Sequence, residues 1–243
     1  MSPPLRILVV DGNPAADRAR LAVPIDGDLA VQLSRTLAPR RPGLQLDVHY
    51  PCDGAASPAD LTRYDGAIFT GSVLHAYDDT RDVAGQARLV RALLQAGTPV
   101  FGLCWGLQIG CVALGGRVMP DPEGPEIGLA RDVALSEAGR ADPVLRHRPA
   151  TFDSHAWHLD AVVEPPAGAV VLATNGRSRI QALRVAAEGA TFMGVQYHPE
   201  YSCAEFASMG RAFRPEPSVD TLPNDDALAL EPLRWLDTLA RRG

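Results

Sequence analysis

The stretch Pro99-Val100-Phe101-Gly102-Leu103-Cys104-Trp105-Gly106 carries an apolar strand straight into the pattern G-x-Cys-x-G. Glycines on both sides of a nucleophile permit the tight strand-to-helix turn of a nucleophile elbow, which would expose the Cys104 thiol. The residues from Trp105 to Leu114 are predicted to be a helix, so the sulfur would sit at its first turn, where the dipole and free N–H groups favour a thiolate. Taken alone, the pattern more often marks an ordinary buried cysteine at a strand-to-helix junction.

Outward from this junction, strands and helices alternate. Ile7 to Val10 is a continuous apolar run ending at Asp11-Gly12-Asn13, and Tyr64 to Phe69 is a second one ending at Thr70-Gly71-Ser72. A further strand is expected over Leu46 to Tyr50. Asp28 can cap a helix whose Leu29, Leu33 and Leu37 share one face. Val83, Ala87, Val90 and Leu94 form another such face, with Gly97 at the C-terminal cap. This alternation predicts an α/β fold with an open, mainly parallel, doubly wound sheet and flanking helices, with ligands at the carboxyl ends of the strands. Gly71 and Cys104 both fall at such ends.

Strands are also expected over 126–135, 170–174, 180–185 and 191–197, with little helix between them, so that half should be a smaller mixed or antiparallel sheet. Ser202 and Glu205 have capping-box spacing for a helix to about Phe213. A Pro- and Asp-rich connection, Arg214 to Asp226, leads to an amphipathic end in which Leu233, Leu236 and Ala240 align. The expected organisation is one domain over 1–243, with its core at about 5–201 and a helical extension at 202–243.

With 243 residues, 46% hydrophobic and 21% charged, the chain has the balance of a soluble globular protein. A net charge of -6 without any basic run argues against nucleic acid as a partner. No run approaches the roughly 20 apolar residues of a membrane span, and Met1-Ser2-Pro3-Pro4 leads directly into a strand rather than a signal peptide, so a cytoplasmic location and no membrane partner are expected. The four cysteines, Cys52, Cys104, Cys111 and Cys203, lack C-x-x-C spacing and suggest neither a zinc site nor a disulfide framework. Cys111, seven residues beyond Cys104, is expected in the core.

The second chemical signal is Gly194-Val195-Gln196-Tyr197-His198-Pro199-Glu200, an apolar strand ending in a histidine and an acid. Pro199 biases His198 towards an extended conformation, in which residues i and i+2 point the same way, so Glu200 can reach one imidazole nitrogen. With the other nitrogen facing Cys104, the three would have the arrangement of nucleophile, base and orienter.

Taken together these blocks resemble the class I, or triad, glutamine amidotransferases. Gly102-Leu103-Cys104-Trp105-Gly106-Leu107-Gln108 resembles the family's G-x-C-x-G-x-Q block, Gly194 to Glu200 its G-x-Q-x-H-P-E block, and Tyr64 to Ser72 its strand and oxyanion turn. Softer likenesses, to stand-alone members akin to the glutaminase part of GMP synthase and to γ-glutamyl peptidases, lie in His75 to Asp79, Gly124 to Gly128 and Trp157 to Val162. The turn Thr70-Gly71-Ser72 departs from the Gly-Gly-Pro type of many synthetase-linked members, and Leu107 stands where several have histidine.

The resemblance implies Cys104 as nucleophile, His198 as base and then acid, and Glu200 as orienter. It further implies oxyanion donors at the backbone of Gly71 and Trp105, and substrate contacts from Gln108 and from the stretch His158 to Asp160. It calls for no cofactor and no metal, although His155 and His158 are three apart. The expected reaction is cysteine-dependent hydrolysis of the γ-amide of glutamine or a γ-glutamyl compound, a small-molecule substrate. Two alternatives stay open: a glutaminase subunit delivering ammonia to a separate synthetase chain, and a non-catalytic module sensing an amino acid on the same fold.

Overall fold

A computed structural model describes residues 4–54, 57–214 and 220–240. Its elements in chain order begin with β1 (Leu5–Val10), α1 (Ala15–Ile25), α2 (Leu29–Leu37), β2 (Leu44–His49), β3 (Gly66–Phe69), α3 (Arg81–Gln95), β4 (Val100–Leu103) and α4 (Trp105–Ala113). There follow β5 (Arg117–Pro120), β6 (Glu126–Leu135), α5 (Glu137–Ala141), β7 (Thr151–His158), β8 (Asp160–Glu164) and β9 (Val170–Thr174). The chain continues through β10 (Ala182–Ala187), β11 (Ala190–Val195), α6 (Cys203–Phe213) and α7 (Leu230–Leu239).

One nine-stranded sheet has the order β2-β1-β3-β4-β11-β10-β9-β6-β7. The first five strands are mutually parallel, and from β11 onward each neighbour is antiparallel. The antiparallel strands therefore continue the main sheet, and the small second sheet is the pair β5-β8. The α/β fold expected from sequence is present, with its smaller sheet formed by other strands than those anticipated.

Alternation along β1 shows why the sheet is covered on both faces. Leu5, Ile7 and Val9 enter a core with Leu33 and Leu37 of α2 and Trp235 and Leu236 of α7, whereas Leu8 and Val10 face Leu89 and Leu93 of α3 and Ile109 of α4. Phe101 meets Trp235 with ring centroids 5.6 Å apart. The amphipathic end expected from sequence is thus part of the core. Asp28 accepts from the Val31 N–H and caps α2, and Ser202 and Glu205 form the capping box of α6. α1 was not foreseen; it carries Pro24 inside it. Among the described residues no helix is long and apolar enough to cross a membrane.

Candidate active site

β3, β4 and β11 are neighbours, and their carboxyl ends bring Gly71, Cys104 and His198 to one cavity of about 360 Å3. Gln108, Trp157, His158, Asp160 and Tyr201 also line it. Gly102 and Gly106 are required by close approach: a Cβ on Gly102 would lie 2.2 Å from the Gly106 carbonyl carbon, and one on Gly106 would lie 2.5 Å from the Phe69 carbonyl oxygen. Helix α4 can therefore start against the strands only if both positions lack side chains. Cys104 occupies its N-cap with φ 49° and ψ -97°. For a residue with a Cβ this conformation costs about 1–3 kcal/mol, and the Cys104 N–H bond to the Val195 carbonyl, 2.8 Å, helps to hold it.

His198 Nδ1 lies 2.7 Å from Glu200 Oε1, and Cys104, whose thiol donates to the Trp157 carbonyl at 3.7 Å, lines the same cavity as the imidazole. Burial alone would lower the histidine's pKa, but the negative charge of Glu200 and the neighbouring Cys104 hold it well above its ordinary value. Glu200 Oε2 is buried without a hydrogen-bond partner among the described residues. The His198 N–H donates to the His155 carbonyl at 2.7 Å, and the His198 and Tyr201 rings lie 5.2 Å apart. The structure thus brings Cys104, His198 and Glu200 together at the carboxyl ends of β4 and β11.

The Trp105 N–H is the first of α4 and has no intrahelical acceptor. Among the described residues neither it nor the Gly71 N–H meets an acceptor. The imagined Cβ of Gly71 is 3.2 Å from His198 Cε1, so the turn adjoins the imidazole. Gln108 Nε2 donates to the Asp160 carbonyl at 3.0 Å and to Gln196 Oε1 at 3.3 Å. The His158 ring is engaged internally: Nδ1 lies 3.1 Å from the Asp160 carbonyl and Nε2 2.9 Å from Glu126 Oε2. What His158 offers the cavity is therefore its backbone and one edge of a fixed ring. His155 stacks on Phe206 at 4.3 Å, and its Nε2 accepts from the Leu222 N–H at 3.1 Å. Both ring nitrogens of His158 are engaged, whereas His155 Nδ1 is buried without a hydrogen-bond partner among the described residues; among these residues no three His, Cys, Asp or Glu side chains cluster to hold a metal.

Several supporting residues escaped the sequence reading. Gln196 Nε2 donates to Cys104 Sγ at 3.4 Å. A buried glutamine two residues before His198, on the same face of an extended segment, was the available signal. Asn13 Nδ2 donates to the Gly71 carbonyl at 3.1 Å, while its Oδ1 accepts from the Val73 N–H at 2.9 Å, which clamps the turn from both ends. Gln86 bridges the Gly12 carbonyl, 3.1 Å, and the Trp105 indole N–H, 2.9 Å. The other thiols are poor competitors for chemistry: burial pushes Cys52 up to about 12 and Cys203 up to about 11, and Cys111 higher still.

A family model described as glutamine amidotransferase class-I matches residues 34–212. A γ-glutamyl-L-1-hydroxyisopropylamide hydrolase from a Pseudomonas species is 37% identical over 202 residues, covering 82% of this chain and 68% of that protein. A glutamine-hydrolysing GMP synthase subunit from Saccharolobus solfataricus is 31% identical over 146 residues, 60% of this chain and 72% of that one. The crystal structure of a glutamine amidotransferase from Thermotoga maritima aligns with a TM-score of 0.70 over 98% of this chain and 96% of its own, and at 18% identity that likeness concerns the fold. The match over most of the chain, on a sheet that gathers a cysteine, a histidine and a glutamate, makes this protein a member of the class I glutamine amidotransferase family.

Proposed function

We propose that the chain hydrolyses the γ-amide of glutamine or a γ-glutamyl compound through a γ-glutamyl thioester on Cys104. The observation that carries this is His198, 2.7 Å from Glu200, sharing a cavity of about 360 Å3 with Cys104 at the start of α4. The Cys104 sulfur attacks the γ-carbonyl carbon, and the resulting oxyanion is met by the N–H groups of Gly71 and Trp105. The C–N bond then breaks as His198 donates its proton to the departing nitrogen. Water deprotonated by His198 next attacks the thioester carbon, releasing glutamate and restoring the thiol. Glu200 keeps Nδ1 protonated and the ring oriented throughout. Gln108 and the backbone of His158 to Asp160 hold the glutamyl part.

We read the chain as one catalytic unit, since Trp235 of α7 is packed under β4, and the site of action as the cytoplasm, where four free cysteines are at home. Similarity to a hydrolase of a γ-glutamyl alkylamide supports independent hydrolysis. Similarity to the GMP synthase glutaminase chain favours a second reading, a glutaminase that passes ammonia to a separate synthetase chain. Release of glutamate and amine by the purified chain, measured on glutamine and on a set of γ-glutamyl amides, tests the first reading. Activity that arises only when a synthetase is added would favour the second.

A further inference from the structure

The two sides of the cavity differ in chemistry. On the side of Gln108 polar groups are interleaved with Val73, Leu74 and Leu159: the Asp160 carboxylate is buried, with His75 Nδ1 2.6 Å from its Oδ2 and the Tyr77 hydroxyl 3.2 Å from its Oδ1. On the side of His198 lies a separate apolar cluster of Ile25, Leu29, Tyr201, Phe206 and Met209, with Leu21 and Phe213 packed against it. Leu21, Leu29, Tyr201, Met209 and Phe213 of this group open onto the cavity. Leu29 Cδ1 and His198 Cε1 lie 3.7 Å and 3.2 Å from the same point above Gly71, so the apolar wall begins where the imidazole ends.

We infer that this wall is the subsite for the amine half of the substrate, and that this half is an uncharged alkyl or aryl group. The inference rests on the hydrolase reading above. His198 is the group that protonates the departing nitrogen, so the amine lies on the histidine's side of the scissile bond. There it meets apolar side chains contributed by α1, α2 and α6. Ammonia has no carbon to bury against them, whereas each methylene of an alkylamine gains from leaving water. Among the described residues, the one charged lining residue on this side is Arg20, at the rim: its side chain is 61% exposed, pairs with Asp17 at 3.3 Å and lies over the Phe213 ring at 5.7 Å. Among the described residues, no carboxylate on this wall receives a cationic amine substituent. Leu21, Leu29 and Phe213 fall outside residues 34–212, so part of this wall lies beyond the family match while Tyr201 and Met209 lie within it. The balance is that of hydrolysis: the amide C–N bond breaks, the amine leaves with the proton from His198, and water supplies the oxygen of glutamate.

The test is kcat/KM for γ-glutamyl propylamide, glutamine and γ-glutamylglycine, measured on the wild-type chain, on Leu21→Asp and on Phe213→Ala. The propylamide is expected to exceed the other two by about tenfold or more, as apolar pockets discriminate single methylenes by about 10–200-fold. Leu21→Asp should lower the propylamide value by about tenfold and narrow its lead over glutamine. Phe213 is half-buried at the end of α6, and its truncation should act in the same direction without threatening the fold. Turnover of glutamine or γ-glutamylglycine equal to or faster than the propylamide, or a lead unchanged in both variants, would overturn the subsite while leaving the hydrolase reading in place. Absence of turnover on all three substrates would remove the hydrolase reading and the subsite with it.

Discussion

The parallel and antiparallel halves of the sheet hold their buried acids differently. At the carboxyl ends of β1, β3, β4 and β11, groups are left strained or incompletely paired: Cys104 has φ 49°, and Glu200 Oε2 and Asp11 Oδ2 are buried without partners among the described residues. In the antiparallel half the comparable acid is saturated. Glu126 Oε2 faces His158 at 2.9 Å and Gln181 Nε2 at 2.8 Å, and its Oε1 accepts from Asn175 Nδ2 at 2.7 Å. Groups held short of full satisfaction are available to reacting atoms, and groups fully satisfied define a rigid wall. The comparison teaches that the two halves hold their buried acids differently, although His155 Nδ1 and Gln181 Oε1 in the antiparallel half are also buried without partners among the described residues.

Substitutions on either side can break that distinction. The largest effect belongs to the parallel half: His198→Ala should lower kcat by about 10⁴-fold, while Glu200→Gln, which leaves a ring able to move the proton, should cost at least ten times less, about 10²-fold. Both should leave KM nearly unchanged. Steady-state kinetics on the two variants checks the ranking, and a larger kcat loss for the glutamine variant would reverse the assigned roles.

In the antiparallel half the expected effect moves from rate to stability. Glu126→Ala strands the buried His158 and Gln181 and the half-buried Asn175, at a cost of about 3 kcal/mol. Burial opposes ionisation of Glu126, but bonds from His158, Asn175 and Gln181 outweigh it and hold its pKa below the ordinary value of 4.5. Its contribution is therefore present above the unfolded pKa and lost as pH falls through the depressed folded one. Urea denaturation of the variant and parent should differ at pH 7 and converge in acid. A variant with parental stability and a collapsed kcat would assign Glu126 to the reactive half.

Much of this partition was legible beforehand, and unevenly so. Continuous apolar runs such as Ile7 to Val10 and Val100 to Leu103 announce buried parallel strands, and the spacing of His198 and Glu200 around Pro199 fixes which side chains converge. The sequence did not announce that β6 and β7 extend the main sheet, because alternation specifies a face and not a partner strand. Asn13 and Gln86 were invisible for a related reason: they act on the carbonyls of Gly71 and Gly12, which leave no trace in a side-chain motif. α1 was missed because Pro24 and a weak apolar face obscure it, yet its Leu21 reaches the cavity.

A comparable effect, confined to acid, separates His155 from His198, which its carbonyl supports. Burial lowers the His155 pKa from 6.5 to about 4, so the fold favours its neutral form. The corresponding stability is present above about 6.5 and is lost as pH falls towards 4, by up to about 3 kcal/mol. His155→Asn should flatten that part of the stability curve, as followed by thermal melts across the range. An unchanged slope would show that the ring is not what resists acid. Smallest of all is Cys111→Ala, a truncation in the core that should cost about 1 kcal/mol and leave kcat at the parental value. A large rate loss there would mean that the two cysteines of the elbow region are not as distinct as their surroundings imply.

The central claim is that Cys104 carries the acyl group. Rapid acid quench during turnover of a γ-glutamyl amide, followed by peptide mass spectrometry, tests it most directly. The predicted result is a γ-glutamyl adduct on the peptide containing Cys104, absent from Cys104→Ala, which should keep its fold and lose several orders of magnitude in kcat. An adduct on Cys52 or Cys203, or near-parental turnover by Cys104→Ala, would contradict the account.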